Sequence, residues 1–400
     1  MSSPSLRRTL ISSPLWASAF RPFYFLGALY APLLVAAWLG ALLGLWSLPG
    51  EVPLKLQHGH EFIFGFAAAI ITGIVLTALP SWAGTEEIRG GRLALLTALW
   101  LAGRIAFWAA PWLPAPLPAL IDCLLFPVIF LMLAPQLLGA QNRLYLLLLP
   151  ILAALFAANL IYYRGMASAN LAQALLALRL AIHAIIVLYV LKGGVLAPIF
   201  TGNALREKGR GRQVPFDMKL ETACLVAVLL LAACDVGAAP RAWTGASALA
   251  CALLLGWRTA RWQGWRVADV PLLLVMHLGF AWLVLAFALK AAADLTGIVP
   301  EAAWLHAFTV GSLGLMMLGL MTRVSLRHTG RPLVVPRAML VAYALMFGAA
   351  LLRLAAGVHG LGNAVIGASA LLWAASFVLY LACFGAVLVA PSLPRKTPGP

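Results

Sequence analysis

The sequence predicts an all-α, polytopic membrane protein with twelve transmembrane helices and both termini in the cytoplasm. Composition, the length of the apolar segments and the distribution of basic residues support this prediction. The 400 residues are 63% hydrophobic and only 10% charged, and the mean hydropathy is +0.97. A soluble domain of this size cannot bury so much apolar surface. Since lipid offers backbone groups no water partner, the spans are expected to be helices.

Polar breaks separate twelve apolar segments, each near the ~20 residues that cross a bilayer core of roughly 30 Å. In order, they are residues 22–47, 57–82, 92–113, 117–138, 143–163, 169–199, 218–238, 241–258, 269–293, 301–323, 335–357 and 362–390. The connection SWAGTEEIRGGR ends the second segment, and the longest polar connection, GNALREKGRGRQVPFD at 202–217, follows the sixth. The eighth segment is short, and the basic stretch TRVSLRHTGRPLVVPR separates the tenth from the eleventh.

The positions of the basic residues predict the orientation of these helices. Of the 28 basic residues, three fall in predicted outer segments and five lie within helices, which leaves 20 in predicted cytoplasmic segments. These 20 include Arg7, Arg8, Arg395 and Lys396 near the ends of the chain, and Arg21 and Arg258 near the ends of predicted helices. Because Lys and Arg concentrate on the cytoplasmic side of membrane helices, we interpret the net charge of +16 as a topology signal and expect no nucleic-acid partner.

We expect residues 1–400 to form a single integral membrane domain with possible internal four-helix repeats. His60, His183 and His306 are spaced by 123 residues, and each lies in a helix predicted to run from outside to inside. Repeats at about 22–138, 143–258 and 269–390, forming three arcs of four helices, would produce this layout. Equal spacing could also arise by chance among seven histidines.

Five histidines lie in or at the edge of the predicted spans, and we take them as candidate metal ligands: His58, His60, His183, His277 and His306. An ionisable side chain inside a membrane helix costs about 2.5–3.5 kcal/mol on insertion scales, so it needs a partner or a function. Neutral imidazole binds metals near pH 7. His60 and His306 each lie roughly 8–12 Å inside the same predicted boundary. Equal depth on two helices is the arrangement that a bis-histidine heme requires.

His58 and Glu61 are the candidate catalytic residues. His58 cannot share a helix face with His60, because residues i and i+2 diverge by about 200°. It could therefore face a second metal or the outer water, and Glu61 could orient an imidazole or relay a proton. The alternative for the histidine pair is a solvated cluster at the interface. For His183 and His277 the alternative is hydrogen-bonded packing.

Two arginines in predicted helices, Arg104 and Arg353, could hold heme propionates by charge-assisted hydrogen bonds. Their alternative is an interhelical salt bridge or a snorkelling side chain. Three methionines could offer thioethers to copper(I), with apolar filling as the alternative: Met316, Met317 and Met321. Three aspartates near predicted helix ends are expected only to cap them: Asp122, Asp235 and Asp269.

Several motifs together resemble the NnrS family. HGHEFIFGFAAAIITGIVLTALPSWAG and GRLALLTALWLAGRIAF resemble its second and third helices. HLGFAWL at 277–283, GGVLAPIFTGN at 193–203 and LHAFTVGSLGLMMLGLMTRVSLRHTGRPL at 305–333 are also similar to family motifs. The match starts at FRPFYFLGALYAPL and continues to the last helix. Gln57 stands where the family more often has tryptophan, which puts in doubt only the packing over the paired histidines.

The resemblance implies a twelve-helix membrane protein that contains heme and copper and is linked to denitrification and nitric oxide stress. It points to a recurrent set of polar positions, namely His58, His60, Glu61, His183, His277, His306, Arg323 and His328. The layout of helices 2, 6 and 10 is also similar to that of the heme–copper oxidase and nitric oxide reductase superfamily, as an analogy of fold. Helix 7 contains no histidine, so a conventional copper site of that superfamily cannot form unless His277 substitutes.

Together these observations support the hypothesis of a bacterial inner-membrane protein of nitric oxide metabolism or detoxification. His60 and His306 would hold a heme, expected to be b-type, and His58, His183 or His277 would supply further heme or copper ligands. The protein could bind or reduce nitric oxide, taking electrons from a quinol or a cytochrome, which would make it a membrane oxidoreductase. The alternative is a membrane transporter, or a nitric oxide sensor or maturation factor without turnover. Twelve helices with polar midplane residues also describe carriers.

Overall fold

The computed structural model describes residues 13–50, 52–140 and 143–394. Within these ranges the regular structure is helical and contains no β-strand, which confirms the all-α prediction. We number the helical segments α1 (Phe20–Leu42), α2 (Leu54–Ala83), α3 (Gly91–Trp108), α4 (Pro116–Leu138), α5 (Arg143–Ala167), α6 (Leu171–Glu207), α7 (Met218–Val236), α8 (Arg241–Arg261), α9 (Pro271–Thr296), α10 (Glu301–His328), α11 (Arg337–His359) and α12 (Gly362–Val389). Short 3₁₀ turns lie at Pro14–Trp16, Ala110–Trp112 and Gly264–Val267.

Nine of these helices, counted over the described residues, are long and apolar enough to cross a membrane. They are α1, α2, α4, α5, α6, α9, α10, α11 and α12. The chain is thus a membrane protein by the length and composition of its helices. The spans predicted for α3, α7 and α8 and the orientation of all twelve stay predictions. Arg7, Arg8, Arg395 and Lys396, which entered the charge argument, lie outside the described residues.

Several helix ends differ from their predicted positions. α1 ends at Leu42 instead of residue 47, shortly before Gly44, which has a φ of +71°. α6 continues through residues 202–207, which the polar composition had predicted as a loop. Leu205 within this extension and Thr201 just before it are each only 1% exposed. Since tertiary packing supplies most helical stability, a packed face extends the helix beyond its apolar run.

The chain divides into two compact units. Unit 1 comprises residues 13–182, 323–334 and 377–394 of the described chain, and unit 2 comprises residues 183–322 and 335–376. Helices α1–α5 therefore belong to unit 1, and α7, α8, α9 and α11 belong to unit 2. The expected single domain with four-helix repeats stays a prediction.

Arg21 of α1 is buried in unit 1, although the charge pattern had placed it among the cytoplasmic basic residues. Its side chain is 2% exposed and donates hydrogen bonds to the carbonyls of Leu388 at 2.8 Å and Ala390 at 2.6 Å. It also donates to Ser392 Oγ at 2.8 Å. The last carbonyls of a helix have no partner within the helix and favour a cation. Arg21 therefore caps the C-terminal end of α12.

Arg258 of α8 is similarly buried in unit 2, at 1% exposure. It donates a hydrogen bond to the Val190 carbonyl of α6 at 2.9 Å and pairs with Glu221 of α7 at 3.1 Å. Its guanidinium lies against Gly194, where a Cβ atom would overlap Arg258 Nη2. Because Gly194 has no side chain, Arg258 can reach α6. Arg258 therefore contacts both α6 and α7 from α8.

Asp269 links the connection between α8 and α9 to the connection between α6 and α7, both in unit 2. It does not cap α9, because no side chain caps the start of that helix. It pairs with Arg210 at 2.6 Å and with Lys208 at 2.7 Å. The hydrogen bonds from these two cations lower the pKa of the Asp269 carboxyl to about 2. The lowered pKa keeps this carboxylate ionised to more acidic pH than an ordinary aspartate, so the contact between the connections persists there.

Helices α2 and α10 each contain a seven-residue π-helical segment, Glu61–Ala67 and Ala307–Leu313. Each segment begins directly after a histidine, His60 in α2 and His306 in α10. A glycine occupies the fifth position of both, and an aromatic ring packs on it. A Cβ at Gly65 would lie 2.7 Å from Tyr30 Cε1, and one at Gly311 would lie 2.5 Å from Trp282 Cδ2. π-Helical segments occur frequently at functional sites, so both histidines mark candidate sites.

Candidate functional site

A buried cluster in unit 1 surrounds His60 and joins four helices. His60 and Glu61 come from α2 at the start of its π-helical segment, and Arg104 comes from the last turns of α3. Asp122 precedes a break in α4 at residues 123–124, and Asn159 lies within α5. All five side chains are at most 5% exposed. We call this set the His60 cluster.

Hydrogen bonds engage both ring nitrogens of His60. Nδ1 lies 2.9 Å from Glu61 Oε1. Nε2 lies 2.9 Å from Asn159 Oδ1 and 3.2 Å from Asp122 Oδ2. The ring also stacks on Phe107, with centroids 4.6 Å apart and planes 4° from parallel. His60 is 0% exposed, so the cluster encloses it on every side.

Arg104 bridges the two carboxylates of the His60 cluster. Its Nη1 donates to Glu61 Oε1 at 2.5 Å, and its Nη2 donates to Asp122 Oδ1. Tyr30 of α1 donates its hydroxyl proton to Glu61 Oε2, and Tyr163 of α5 donates to Asp122 Oδ2 at 3.0 Å. The interhelical salt bridge that stood as the alternative for Arg104 is therefore present. Arg104 and Tyr30 also line a cavity of about 520 Å³.

His58 lies outside the His60 cluster, as its i, i+2 spacing from His60 requires. It is half-buried, and its ring contacts two aromatic side chains. The centroid of the His58 ring lies 4.6 Å from the centroid of the Trp38 ring and 4.5 Å from that of the Phe62 ring. The structure thus brings Glu61 and Arg104 together with His60 and places His58 among aromatic rings.

His183 occupies a second buried cluster, in unit 2. Its Nε2 lies 2.9 Å from Asp235 Oδ2 of α7. The other oxygen of Asp235 pairs with Lys290 Nζ of α9 at 2.7 Å, and Lys290 also pairs with Asp294 at 3.0 Å. The His183 ring stacks on Trp304 with centroids 5.9 Å apart. The Nδ1 atom of His183 is buried and has no hydrogen-bond partner within the described part of the chain.

His306 is half-buried in α10 and contacts Arg353 of α11. Its Nδ1 lies 2.7 Å from the Ala302 carbonyl, one turn earlier in the same helix. Arg353 Nη2 lies 2.9 Å from His306 Nε2. A carbonyl oxygen only accepts hydrogen bonds, so Nδ1 carries the ring proton in this contact. The structure therefore brings these two predicted site residues together.

His277 of α9, in unit 2, is half-buried. Its Nε2 is 2.8 Å from Thr201 Oγ1 of α6. A Cβ at Gly264 would lie 2.5 Å from His277 Cγ, so the imidazole packs directly on backbone. This arrangement is the hydrogen-bonded packing that stood as the alternative for His277. The three methionines considered for copper are all buried: Met316, Met317 and Met321.

A match to a known protein family shows what the chain is related to. The model described as NnrS protein matches residues 14–392, nearly the whole sequence. The chain belongs to the NnrS family. No curated protein matches its sequence. The resemblance predicted from the motifs is thus confirmed, and membership of the family indicates a nitric-oxide-related membrane protein.

Two of the predicted ligand histidines of this NnrS protein, His183 and His306, fit a role in holding heme. A metal-binding histidine donates the proton of its other nitrogen to a carboxylate or a carbonyl. His183 meets this condition through Asp235, and His306 meets it through Ala302. His60 does not fit, because each of its nitrogens already faces an oxygen acceptor. The pairing of His60 with His306 stays a prediction.

The described residues of this NnrS protein contain no set of side chains arranged to bind copper. Among the described residues there is no group of three or more His, Cys, Asp or Glu side chains that could hold a metal ion. Copper therefore stays a prediction that follows from the resemblance alone, as do the proposed roles of His58 and His277 as metal ligands.

The sequence did not indicate several members of the two clusters. Asn159, Tyr30 and Tyr163 were not singled out, because an uncharged amide or phenol group is less costly to bury than a charged group and so needs a partner less strictly. Lys290 could have been found, since it is a lone cation in the apolar run LVLAFALKAAADL. The expectation that Asp122 and Asp235 only cap helices was wrong. An aspartate near a helix end caps it when its carboxylate meets backbone N–H groups, whereas these two meet buried cations.

Proposed function

We propose that this NnrS protein is a heme-containing protein of the bacterial inner membrane that binds nitric oxide, with His183 and His306 as its metal-binding histidines. The observation that carries the proposal is the buried Nδ1 atom of His183, which has no hydrogen-bond partner among the described residues. Buried polar atoms in folded proteins nearly always have a partner. A ligand that coordinates this nitrogen would supply one.

The surroundings of His183 favour a neutral ring with its lone pair on Nδ1. Asp235 accepts a hydrogen bond from Nε2–H and pairs with Lys290 through its other oxygen, while Nδ1 has no hydrogen-bond partner among the described residues. A carboxylate in this position fixes the tautomer and raises the basicity of the coordinating nitrogen. Asp235 and Lys290 therefore prepare His183 to bind a metal.

His306 is prepared in a similar way by the backbone of its own helix. Because Nδ1 donates to the Ala302 carbonyl, the lone pair of the neutral ring lies on Nε2. Arg353 now donates to that nitrogen. If His306 binds a metal, Arg353 is released as a half-buried cation, and it would then hold a carboxylate such as a heme propionate.

A heme held by His183 or His306 would supply iron, to which nitric oxide could bind. Reduction of nitric oxide would also require protons and electrons. A quinol or a cytochrome would donate the electrons. Turnover, copper and the electron donor belong to this proposal only as expectations from the resemblance.

Optical spectroscopy of the purified, full-length protein tests the proposal. The reduced protein is expected to show heme absorption that shifts on addition of nitric oxide. His306→Ala should lose most of this signal, because it removes a proposed ligand. His359→Ala is the matched control, since His359 ends α11 at an exposed position, and it should behave as the unmodified protein. Folded protein without heme, or heme that does not respond to nitric oxide, would refute the proposal.

A further inference from the structure

We infer that His60 is doubly protonated and serves as the second cation of a charge-balanced buried cluster, not as a metal ligand. This inference differs from the expectation that the sequence supported, in which His60 holds heme iron. It concerns unit 1 alone and stands whether or not the protein binds heme. It rests on three observations: the acceptors at each ring nitrogen, the orientation of Asn159 and the charges within the His60 cluster.

The first observation is the acceptor at Nδ1. Glu61 Oε1 lies 2.9 Å from Nδ1 and also accepts from Arg104 Nη1 at 2.5 Å. Its other oxygen accepts from the Tyr30 hydroxyl. A carboxyl group whose oxygens accept from a guanidinium and a phenol is ionised and cannot donate. Nδ1 must therefore carry a proton to form its hydrogen bond with Glu61.

The second observation fixes the proton at Nε2. Asn159 Nδ2 donates to the Asp122 carbonyl at 3.3 Å and to Asp122 Oδ2 at 3.1 Å. With its NH₂ group directed to two acceptors, Asn159 turns Oδ1 toward His60 at 2.9 Å. The second neighbour of Nε2 is Asp122 Oδ2 at 3.2 Å, which is also an acceptor. Nε2 is thus a donor as well.

The third observation is the balance of charge. The cluster contains two carboxylates, Glu61 and Asp122, and one guanidinium, Arg104, all nearly fully buried. With a neutral His60 the cluster would hold an uncompensated negative charge away from water, which is strongly unfavourable. With an imidazolium the two anions and two cations balance. Charge and hydrogen bonding therefore require the same protonation state.

An imidazolium has no lone pair for a metal, because both nitrogens are donors. Two aromatic rings also pack against the imidazole and help to bury it. Phe107 stacks on it at 4.6 Å and Tyr162 lies at 4.3 Å between centroids. A metal could reach His60 only if the cluster came apart. His60 therefore acts as an internal counter-ion that holds α2 against α4 and α5.

A double-mutant cycle tests this role in the full-length protein. His60→Gln removes one positive charge and Glu61→Gln removes one negative charge, so each single variant unbalances the cluster. Each should lower the melting midpoint by roughly 5 °C or more. The double variant restores the balance, so its loss should be clearly smaller than the sum of the single losses. His359→Gln is the control and should shift the midpoint little, because His359 is exposed at the end of α11 and lies outside the cluster.

Nitrogen-15 NMR of histidine-labelled protein supplies a second measurement that does not depend on the folding of variants. The inference predicts a signal from a buried histidine with protons on both ring nitrogens. Additive single losses in the cycle, or a neutral His60 ring in the spectrum, would overturn it. Strong coupling in the cycle and an imidazolium signal would support it, including in protein that contains no heme.

Discussion

Arg104→Met should be among the most destabilising single substitutions in this protein, with an expected loss of about 3–5 kcal/mol in the free energy of unfolding. Arg104 is 4% exposed and bonds to both Glu61 and Asp122. Methionine has a similar length but no charge, so two buried carboxylates would share His60 as their only cation. Breaking a buried ion pair by removing one partner is costly because the remaining charge stays away from water.

Unfolding in mixed micelles, with increasing mole fractions of a denaturing detergent, measures this loss. Arg92→Met is the matched control, because Arg92 begins the same helix and pairs with Glu86 at 3.3 Å. The Arg92 side chain is 55% exposed, so its removal should cost less than about 1 kcal/mol. Equal losses in the two variants would contradict the importance assigned to the His60 cluster.

Lys290→Met should have the corresponding effect in unit 2, with an expected loss of about 3–5 kcal/mol. Lys290 is 2% exposed and lies between Asp235 at 2.7 Å and Asp294 at 3.0 Å. Its ammonium group also lies 5.4 Å from the centre of the Trp304 ring. Without Lys290, two acidic groups would remain in a buried position, and only His183 could compensate Asp235.

Lys208→Met is the control for this prediction. Lys208 pairs with Asp269 at the same distance, 2.7 Å, but its side chain is 36% exposed. An exposed pair of this kind contributes up to about 1 kcal/mol. The same micelle titration should therefore show a small loss for Lys208→Met. A large loss there together with a small one for Lys290→Met would reverse the predicted order.

The architecture could be predicted from the sequence because the signals are local. Long apolar runs between polar connections indicated the helices, and all twelve predicted segments correspond to helical segments of the structure. The helix ends were less accurate. Residues 202–207 appear polar in sequence, but packing around Leu205 continues α6 through them. The polarity of residues along the sequence does not reveal such tertiary packing.

The candidate site could be predicted in part. Glu61 and Arg104 were identified as chemically important because ionisable groups in apolar helices need partners. Their partners were not identifiable. Asp122 lies 62 positions from His60 in sequence, and Asn159 lies 99 positions away. Only the packing of α2 against α4 and α5 brings these groups together. The protonation of His60 depends on that packing, so the histidine alone suggested a metal ligand.

Arg21 and Arg258 illustrate the same limit. The positive charges near helix ends indicated topology, and the sequence placed both arginines with the cytoplasmic set. Both side chains are buried and donate to backbone carbonyls of other helices, which the charge pattern did not indicate. The assignment to the cytoplasmic side stays a prediction. A charge near the end of an apolar run can lie in headgroups or cap a neighbouring helix, and composition does not distinguish these positions.

The measurement that tests the account most directly is the heme content of three histidine variants, His60→Gln, His183→Gln and His306→Gln, purified as folded protein. The account predicts that His183→Gln and His306→Gln lose heme, because these rings present a nitrogen that a metal can bind. His60→Gln should keep its heme, although it is less stable. Loss of heme from His60→Gln, with full occupancy in the other two, would contradict the account.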